Sequence, residues 1–173
     1  MTRPELDFDR FVADHGRDLE RYAFVLTGEP AAAQDLVQTA LLKAYRYWRR
    51  VARVDQPAAY VRRIVTNCYL DQRRRPAEYP MAEIPDLPAD GTSVDPVNRV
   101  VAADEIRRAL AGLSPQQRAV IVLRHLGGLD DAAIADELGC SQGTVRTHAS
   151  RGMQRMRAVL DGAASRIEPD RKM

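Results

Sequence analysis

The 173-residue chain has little of what defines several large classes of protein. It contains only two cysteines, Cys68 and Cys140, too few for a disulfide framework, so the cytoplasm is the expected compartment. No stretch approaches the roughly 18 consecutive apolar residues of a membrane helix, and residues 1–10 lack the apolar segment of a signal peptide. Its 45% hydrophobic and 29% charged residues are typical of a globular protein. Membrane proteins, secreted disulfide-rich proteins and fibrous chains are therefore excluded.

Motifs for catalysis and metal binding are also missing from the sequence. His15, His125 and His148 are scattered, without Cys-x-x-Cys or His-Glu-x-x-His spacing. There is no phosphate-binding glycine loop and no pair of carboxylates placed for acid–base chemistry. The sequence therefore predicts a protein with no metal, no cofactor and no enzymatic activity of its own.

The net charge of +2 conceals two basic segments separated by an acidic one. Ten basic residues and two acids between positions 43 and 75 give a balance of +8. Seven acids and Arg99 between positions 76 and 105 give a balance of −6. Four arginines and no acid lie between positions 142 and 160. Two basic segments favour contact with a polyanion such as nucleic acid, although solvated helix faces also produce charge runs.

Apolar residues recur at helical spacing along the chain, and no alternating pattern typical of a strand is present. Three amphipathic stripes in the first 75 residues are expected to bury one small core, aromatic residues such as Tyr45 and Tyr60 included. Gly28 and Pro30 are expected to end the first helix and to start the second. The second stripe extends from Leu36 to Trp48, and the third begins after Pro57. The expected fold is all-α.

A segment between Pro76 and Pro96 interrupts the helical pattern. It holds five of the ten prolines, together with most of the acidic residues of the central stretch. Proline and like charge are typical of an extended linker. The sequence therefore predicts two small helical domains, 5–75 and 96–162, joined by a flexible acidic linker at 76–95.

The second domain has explicit helix-capping residues. Ser114, followed by Pro115, Gln116 and Gln117, has the sequence of a capping box with proline in the first turn. Glycines at 127–128 and 139 are expected to end two helices. The predicted N-caps of this domain are Asp95, Ser114, Asp130 and Ser141.

The residues from Asp130 to Arg157 have the spacing of a helix-turn-helix. Ala135 is small where the two helices would cross, Gly139 permits the turn, and Val145 packs the second helix onto the first. Helical hairpins in bundles can imitate this spacing. However, the outer face of the second helix offers hydroxyls and guanidiniums to phosphates and base edges. The candidates for DNA contact on this face are Thr144, Arg146, Thr147, Ser150, Arg151 and Arg155.

Four stretches together resemble the extracytoplasmic-function (ECF) group of bacterial RNA polymerase sigma factors, and within it the actinobacterial SigE family. They are DLVQTALLKAY at 35–45, YVRRIVTN at 60–67, LSPQQR at 113–118 and CSQGTVR at 140–146. The resemblance extends from about residue 7 to residue 160. It implies that residues 5–75 are region two, that residues 96–162 are region four, and that both bind core RNA polymerase and read a two-element promoter.

The resemblance also implies roles for individual residues. In region two, Asn67 would help hold a base flipped out of the melted minus-ten element, with Asp71 beside it. The helix-turn-helix of region four would read the minus-thirty-five element, and an anti-sigma factor is an implied further partner. Region four would also contact the flap of the second-largest polymerase subunit. The residues that would face the clamp helices of the largest polymerase subunit are Asp35, Gln38, Lys43 and Arg46. The arginines that would support phosphates or the displaced strand are Arg62, Arg63, Arg73, Arg74 and Arg75.

Three positions depart from the pattern of the group. Thr39 stands where many members have glutamate, and Tyr60 stands where tryptophan is common. His148 replaces an arginine of many members, which leaves one fewer permanent cation near DNA and favours a neutral packing role.

An autonomous helix-turn-helix regulator that binds DNA as a dimer is the alternative interpretation. It predicts tight binding by the chain alone to a two-fold symmetric site. The sigma-factor interpretation predicts weak binding alone and an asymmetric promoter. The dimeric regulator explains the C-terminal half but gives no function to the basic surface between Lys43 and Arg75.

Overall fold

Every regular element that the computed structural model describes, in residues 7–74 and 96–164, is an α-helix. This confirms the all-α prediction. The predicted linker at 76–95, with the Asp95 cap and Arg75, lies outside the described residues. Helices α1–α4 form an N-terminal unit, and helices α5–α8 form a C-terminal unit. The helices are α1 Phe8–Thr27, α2 Pro30–Arg46, α3 Trp48–Val51, α4 Pro57–Arg74, α5 Pro96–Ala111, α6 Pro115–His125, α7 Asp131–Leu138 and α8 Gln142–Ala164.

In the N-terminal unit, α1 and α4 pack against α2 around a buried apolar core. The prediction of one continuous second helix as far as Trp48 was wrong. Helix α2 ends at Arg46, and Tyr47 leaves the helical conformation with φ −120° and ψ 21°. The Trp48 ring packs against the rings of Phe8 and Phe11, at centroid distances of 5.1 and 5.0 Å. The break is accompanied by this packing, which stabilises Trp48 against the beginning of α1.

The predicted capping residues Gly28, Ser114, Asp130 and Ser141 are confirmed. Gly28 adopts the left-handed conformation, with φ +77°, and ends α1 by donating its N–H to the Phe24 carbonyl at 2.7 Å. Ser114 and Gln117 form the reciprocal capping box at the start of α6. Asp130 accepts the N–H of Ala133 at 2.8 Å, and Ser141 likewise accepts that of Thr144 at 3.1 Å. Local capping residues therefore define both helices of the predicted helix-turn-helix.

Helix α8 is the centre of the C-terminal unit and packs against α5, α6 and α7. Its inward face carries Val145 and Ala149, which are buried as the helix-turn-helix spacing predicts. Gly152 marks the close crossing with α6, because a Cβ there would lie 3.2 Å from Cγ1 of Ile121. The inward face of α8 is thereby fixed, and with it the face that remains exposed.

The two units share one continuous buried core, which includes residues of α1, α2, α4, α6, α7 and α8. Arg118 of α6 is buried, and its Nε donates to the carbonyl of Val25 in α1 at 2.9 Å. Arg63 of α4 donates through Nη2 to the carbonyl of Asp136 in α7 at 3.2 Å. The DNA-contact candidates of the two units are consequently held in a defined relation to each other.

Candidate nucleic-acid interface

The outer face of α8 is open to solvent. All six side chains predicted to contact DNA, from Thr144 to Arg155, are exposed. Their exposure follows from the inward packing of Val145 and Ala149, which turns the neighbouring positions outward. His148, in contrast, is half-buried, and its Nδ1 has no hydrogen-bond partner within residues 7–74 and 96–164. The expectation of a packing histidine agrees with this burial.

Polar contacts within the protein involve residues at both ends of this exposed face. The Ser141 and Thr144 hydroxyls lie 2.9 Å apart in the first turn of α8. Arg146 Nε lies 3.4 Å from Oδ2 of Asp131, while Arg155 Nη1 donates to Oε1 of the capping-box Gln117 at 3.3 Å. Arg155 is thus tied to α6, at the far end of the exposed face.

Helix α4 presents the second group of candidates. Asn67 and Asp71 are exposed one turn apart, and Arg73 and Arg74 are exposed at the end of the helix. The guanidinium of Arg73 lies over the ring of Tyr69, with Cζ 5.6 Å from the ring centroid. A hydrogen-bonding amide and a group of cations therefore share one helix.

Arg62 and Arg63 of α4 have a different environment, because α7 lies beside them. The carboxylate of Glu137 is half-buried there, and its Oε2 has no hydrogen-bond partner in the described part of the chain. Burial raises the pKa of Glu137, and the charges of Arg63 and Arg62 offset part of that effect. In this arrangement the two arginines face an acidic side chain of the C-terminal unit as well as solvent.

The exposed face of α2 carries the residues predicted to contact polymerase. Asp35, Gln38, Lys43 and Arg46 are all exposed. A fifth exposed residue of the same helix, Leu42, was not among the predicted contacts, and its relative exposure of 66% is unusual for leucine. Leu42 lies outside the apolar stripe of α2, so its exposure could have been predicted from the sequence.

Two aromatic residues that the stripes predicted to be buried are exposed instead, and that expectation was wrong for both. Tyr45 is 62% exposed and Tyr60 is 43% exposed. Tyr45 touches only one edge of the aromatic cluster, at 5.0 Å from Phe8, and Tyr60 lies in the first turn of α4. No described helix covers either ring, so the prediction of burial from helical spacing alone was wrong for both.

Tyr60 lines a cleft between α3 and the beginning of α4. The cleft has a volume of about 600 Å³ and is otherwise lined by Tyr47, Arg50, Arg53 and Val54. Sequence reasoning did not group these residues, because the break at Tyr47 that brings them together was not predicted. Exposed aromatic rings beside guanidiniums are suited to stacking on unpaired bases and neutralising their phosphates.

The fold and these surfaces are typical of an all-α nucleic-acid-binding protein, with a group of candidate contact residues in each unit. Residues 11–78 match the family model of Sigma-70 region 2, and residues 103–156 match that of Sigma-70, region 4. The chain belongs to the sigma-70 family of RNA polymerase sigma factors, in its ECF group. It is an alternative sigma factor, which acts with core RNA polymerase and promoter DNA in transcription initiation.

Relatives of known family cover nearly the whole chain. It is 34% identical to the RNA polymerase sigma-E factor of Streptomyces avermitilis, over 90% of this chain and 86% of that protein. It is 32% identical to the ECF RNA polymerase sigma factor SigL of Mycobacterium tuberculosis, over 85% of each. The solved structure of the sigma factor RpoE in complex with the anti-sigma factor NepR, from Bartonella quintana, is similar with a TM-score of 0.68. It is 25% identical, over 90% of this chain and 97% of that one.

Two features are absent from the described part of the chain. Within residues 7–74 and 96–164, no helix is long and apolar enough to cross a membrane. The same residues contain no group of three or more His, Cys, Asp or Glu side chains that could hold a metal ion.

Proposed function

We propose that the two units divide promoter recognition between them. Residues 5–75, as region two, bind core polymerase and capture the melted minus-ten element, and residues 96–162, as region four, read the minus-thirty-five element. The linker at 76–95 joins them. The observation that carries this division is the separation of the exposed candidates onto two helices of different units, α4 and α8. The protein works in the cytoplasm and carries out no catalysis of its own.

The exposed face of α2 is the proposed docking surface for the clamp helices of the largest polymerase subunit. Asp35, Gln38, Lys43 and Arg46 supply charge and hydrogen bonds, and Leu42 supplies apolar area. A partly apolar centre surrounded by polar side chains is the usual composition of a protein interface.

An apolar groove of about 550 Å³ is the proposed contact for the flap of the second-largest subunit. Region four lines most of it, including Ile106, Leu110, Met153 and Met156. Flexible methionine side chains adapt to an incoming apolar surface. Phe24 and Val25 of α1 form its other wall, so region two borders the same groove.

For the minus-ten element, we propose that Asn67 pairs with the edge of a flipped base, with Asp71 beside it. Extruding a base costs a few kcal/mol of stacking, which hydrogen bonds and new stacking must return. The Asn67 amide has both a donor and an acceptor, and the tyrosines of the α3–α4 cleft supply ring faces. The proposed phosphate contacts are Arg62, Arg63, Arg73 and Arg74.

For the minus-thirty-five element, we propose that the N-terminal half of α8 enters the major groove. An arginine that forks onto guanine supplies about 1–3 kcal/mol of discrimination, whereas an arginine on phosphate supplies affinity without sequence preference. The proposed contacts are Thr144, Arg146, Thr147, Ser150, Arg151 and Arg155.

An anti-sigma factor is a further proposed partner. The similarity to RpoE, which was solved in complex with the anti-sigma factor NepR, supports this proposal.

The test is selection of transcribed promoters from a random DNA library, with core polymerase in the presence and absence of the protein. The proposal expects initiation that requires the protein, from sites with two spaced elements. The Asn67→Ala variant should then impair strand opening more than closed-complex binding, while Gln72→Ala on the same helix should impair neither. Binding of the protein alone to a symmetric site, without any initiation, would instead support the dimeric regulator.

A further inference from the structure

One carboxylate joins two arginines of region four. Oδ1 of Asp131 accepts a hydrogen bond from Nη2 of Arg124, and Oδ2 lies 3.4 Å from Nε of Arg146. Arg124 is in the last turn of α6, Asp131 is the first residue of α7, and Arg146 is near the start of α8. Three helices are therefore linked through a single side chain at the base of the proposed DNA-reading face.

The three side chains differ in their exposure to solvent. The side chains of Arg124 and Asp131 are 31% and 26% exposed, whereas that of Arg146 is 68% exposed. Because the Arg124–Asp131 pair is partly buried, solvent weakens its attraction less than that of a surface pair. The first turn of α7 also favours the negative charge of Asp131. The pair thus provides an anchor from which Arg146 extends outward.

The contact leaves the outer edge of Arg146 available. A guanidinium has five N–H donors in a fixed fork, and Asp131 engages only the Nε–H. Nη2 also approaches Oε1 of Gln142, at 3.5 Å, the limit of a hydrogen bond. The two Nη groups can therefore present paired donors to O6 and N7 of guanine, the commonest specific contact of arginine in the major groove.

An arginine that is held before DNA arrives binds with less loss of entropy than a freely moving one. Ordering a long, flexible side chain costs free energy, and prior restraint reduces this cost. Arg151, which is also exposed and lies five positions further along α8, provides a natural contrast. It has no ion-pair partner among the described residues, so nothing comparable restrains it.

We propose that Asp131 is a positioning residue for the reading of the minus-thirty-five element. It fixes the guanidinium of Arg146 so that its Nη edge recognises one guanine, and Arg124 holds Asp131 in place. The inference rests on the proposed role of α8 in region four. Asp131 itself touches no base, and it acts only through Arg146.

The experiment uses the full chain bound to core polymerase. Promoters with a randomised minus-thirty-five element are selected by transcription with the wild type, Asp131→Asn, Arg146→Gln and the double variant. Asp131→Asn should reduce the preference for guanine at one position by about tenfold, within the usual range for a bidentate contact. Arg146→Gln should remove the preference at that same position. Because the two residues act together, the double variant should be no worse than Arg146→Gln alone.

Two further variants separate positioning from a purely structural role. Arg124→Gln removes the side chain that holds Asp131 but leaves the contact between Asp131 and Arg146, so the preference for guanine should fall by less than in Asp131→Asn, although the loss of thermal stability should be at least as large. Arg151→Gln should combine additively with Asp131→Asn, since the two side chains do not interact.

The proposal is overturned if Asp131→Asn lowers the melting temperature but leaves the base preference unchanged. It is also overturned if the effects of Asp131→Asn and Arg146→Gln add in full. In either case initiation would still depend on the wild-type protein, so the proposed sigma function would stand. Failure of the wild type to support initiation would contradict the proposed function itself, and the positioning role with it.

Discussion

Arg118 and Val25 lie 93 positions apart in the chain, and a hydrogen bond of 2.9 Å joins the Nε of the first to the carbonyl of the second. Val25 is in the last turn of α1, where carbonyl groups have no partner within the helix. The Arg118 guanidinium also lies over Gly28, where a Cβ would come within 3.2 Å of an Nη atom. One side chain of region four therefore caps the helix end of region two, and burial lowers its pKa.

Replacing Arg118 by methionine should destabilise the protein, because it leaves the Val25 carbonyl unpaired while filling similar volume. A hydrogen bond from a charged donor contributes about 1.5–3 kcal/mol, so a loss of free energy of unfolding near 2 kcal/mol is expected. Urea denaturation measures it. Arg108→Met is the control, since that side chain is 58% exposed and should change stability by less than about 0.5 kcal/mol. Equal effects of the two variants would mean that the contact between the units does not contribute.

The buried hydroxyl of Tyr22 should contribute to stability in a pH-dependent way. It lies 2.7 Å from the Thr66 hydroxyl, and burial raises the pKa of Tyr22 to about 12. Because the folded-state pKa is above the unfolded value of 10.0, this contribution is complete below pH 10 and is lost as the pH rises toward 12. Tyr22→Phe should cost about 1 kcal/mol at neutral pH and make stability less steeply dependent on pH in that window.

Urea unfolding between pH 8 and about pH 11 measures this dependence. Tyr45→Phe is the matched control, because the Tyr45 ring is 62% exposed. An unchanged slope in Tyr22→Phe would show that other groups cause the alkaline loss of stability.

Glu137 should make the protein less stable at neutral pH than a neutral side chain in its place. Burial raises its pKa above the ordinary 4.5, more than the charges of Arg63 and Arg62 lower it. A raised folded-state pKa means that stability present below pH 4.5 is lost as the pH rises through the folded-state value. Glu137→Gln should therefore unfold at a higher urea concentration than the wild type at pH 7, and at the same concentration near pH 4. A lower midpoint at pH 7 would show instead that attraction to the two arginines outweighs desolvation.

Leu42→Ser should weaken binding to core polymerase without altering the fold. The side chain is 66% exposed on α2, so its removal should change the free energy of unfolding by less than about 0.5 kcal/mol. Fully burying an exposed leucine side chain contributes about 1.5–3 kcal/mol, so its removal from the interface should reduce affinity by roughly tenfold or more. Fluorescence titration of labelled protein with core enzyme measures this loss. Val159→Ser, at an exposed apolar position of α8, should bind as the wild type, and equal binding of both variants would place the core contact elsewhere.

Features that depend on neighbouring residues followed directly from the amino-acid sequence. The all-α class, the Ser114 capping box and the left-handed Gly28 and Gly139 rest on contacts within a few positions, and the burial of Val145 followed from the spacing of the helix-turn-helix. The exposed face of α8 was predictable for the same reason, because a helix that buries one stripe must expose the other. Family resemblance added the expected roles of Asn67 and the α2 surface, which stay predictions.

Other features arise only when distant parts of the chain meet. Helical spacing indicates which face of a helix is apolar, but whether another helix covers each position depends on packing, and Tyr45 and Tyr60 were left exposed. The bond from Arg118 to Val25 and the contact of Asp131 with Arg146 have no local signal, since each joins different helices. Burial of Glu137 beside Arg62 and Arg63 likewise requires the two units to be packed together. Short-range hydrogen bonds and periodicity act within a helix, whereas desolvation and side-chain pairing between helices depend on the assembled core.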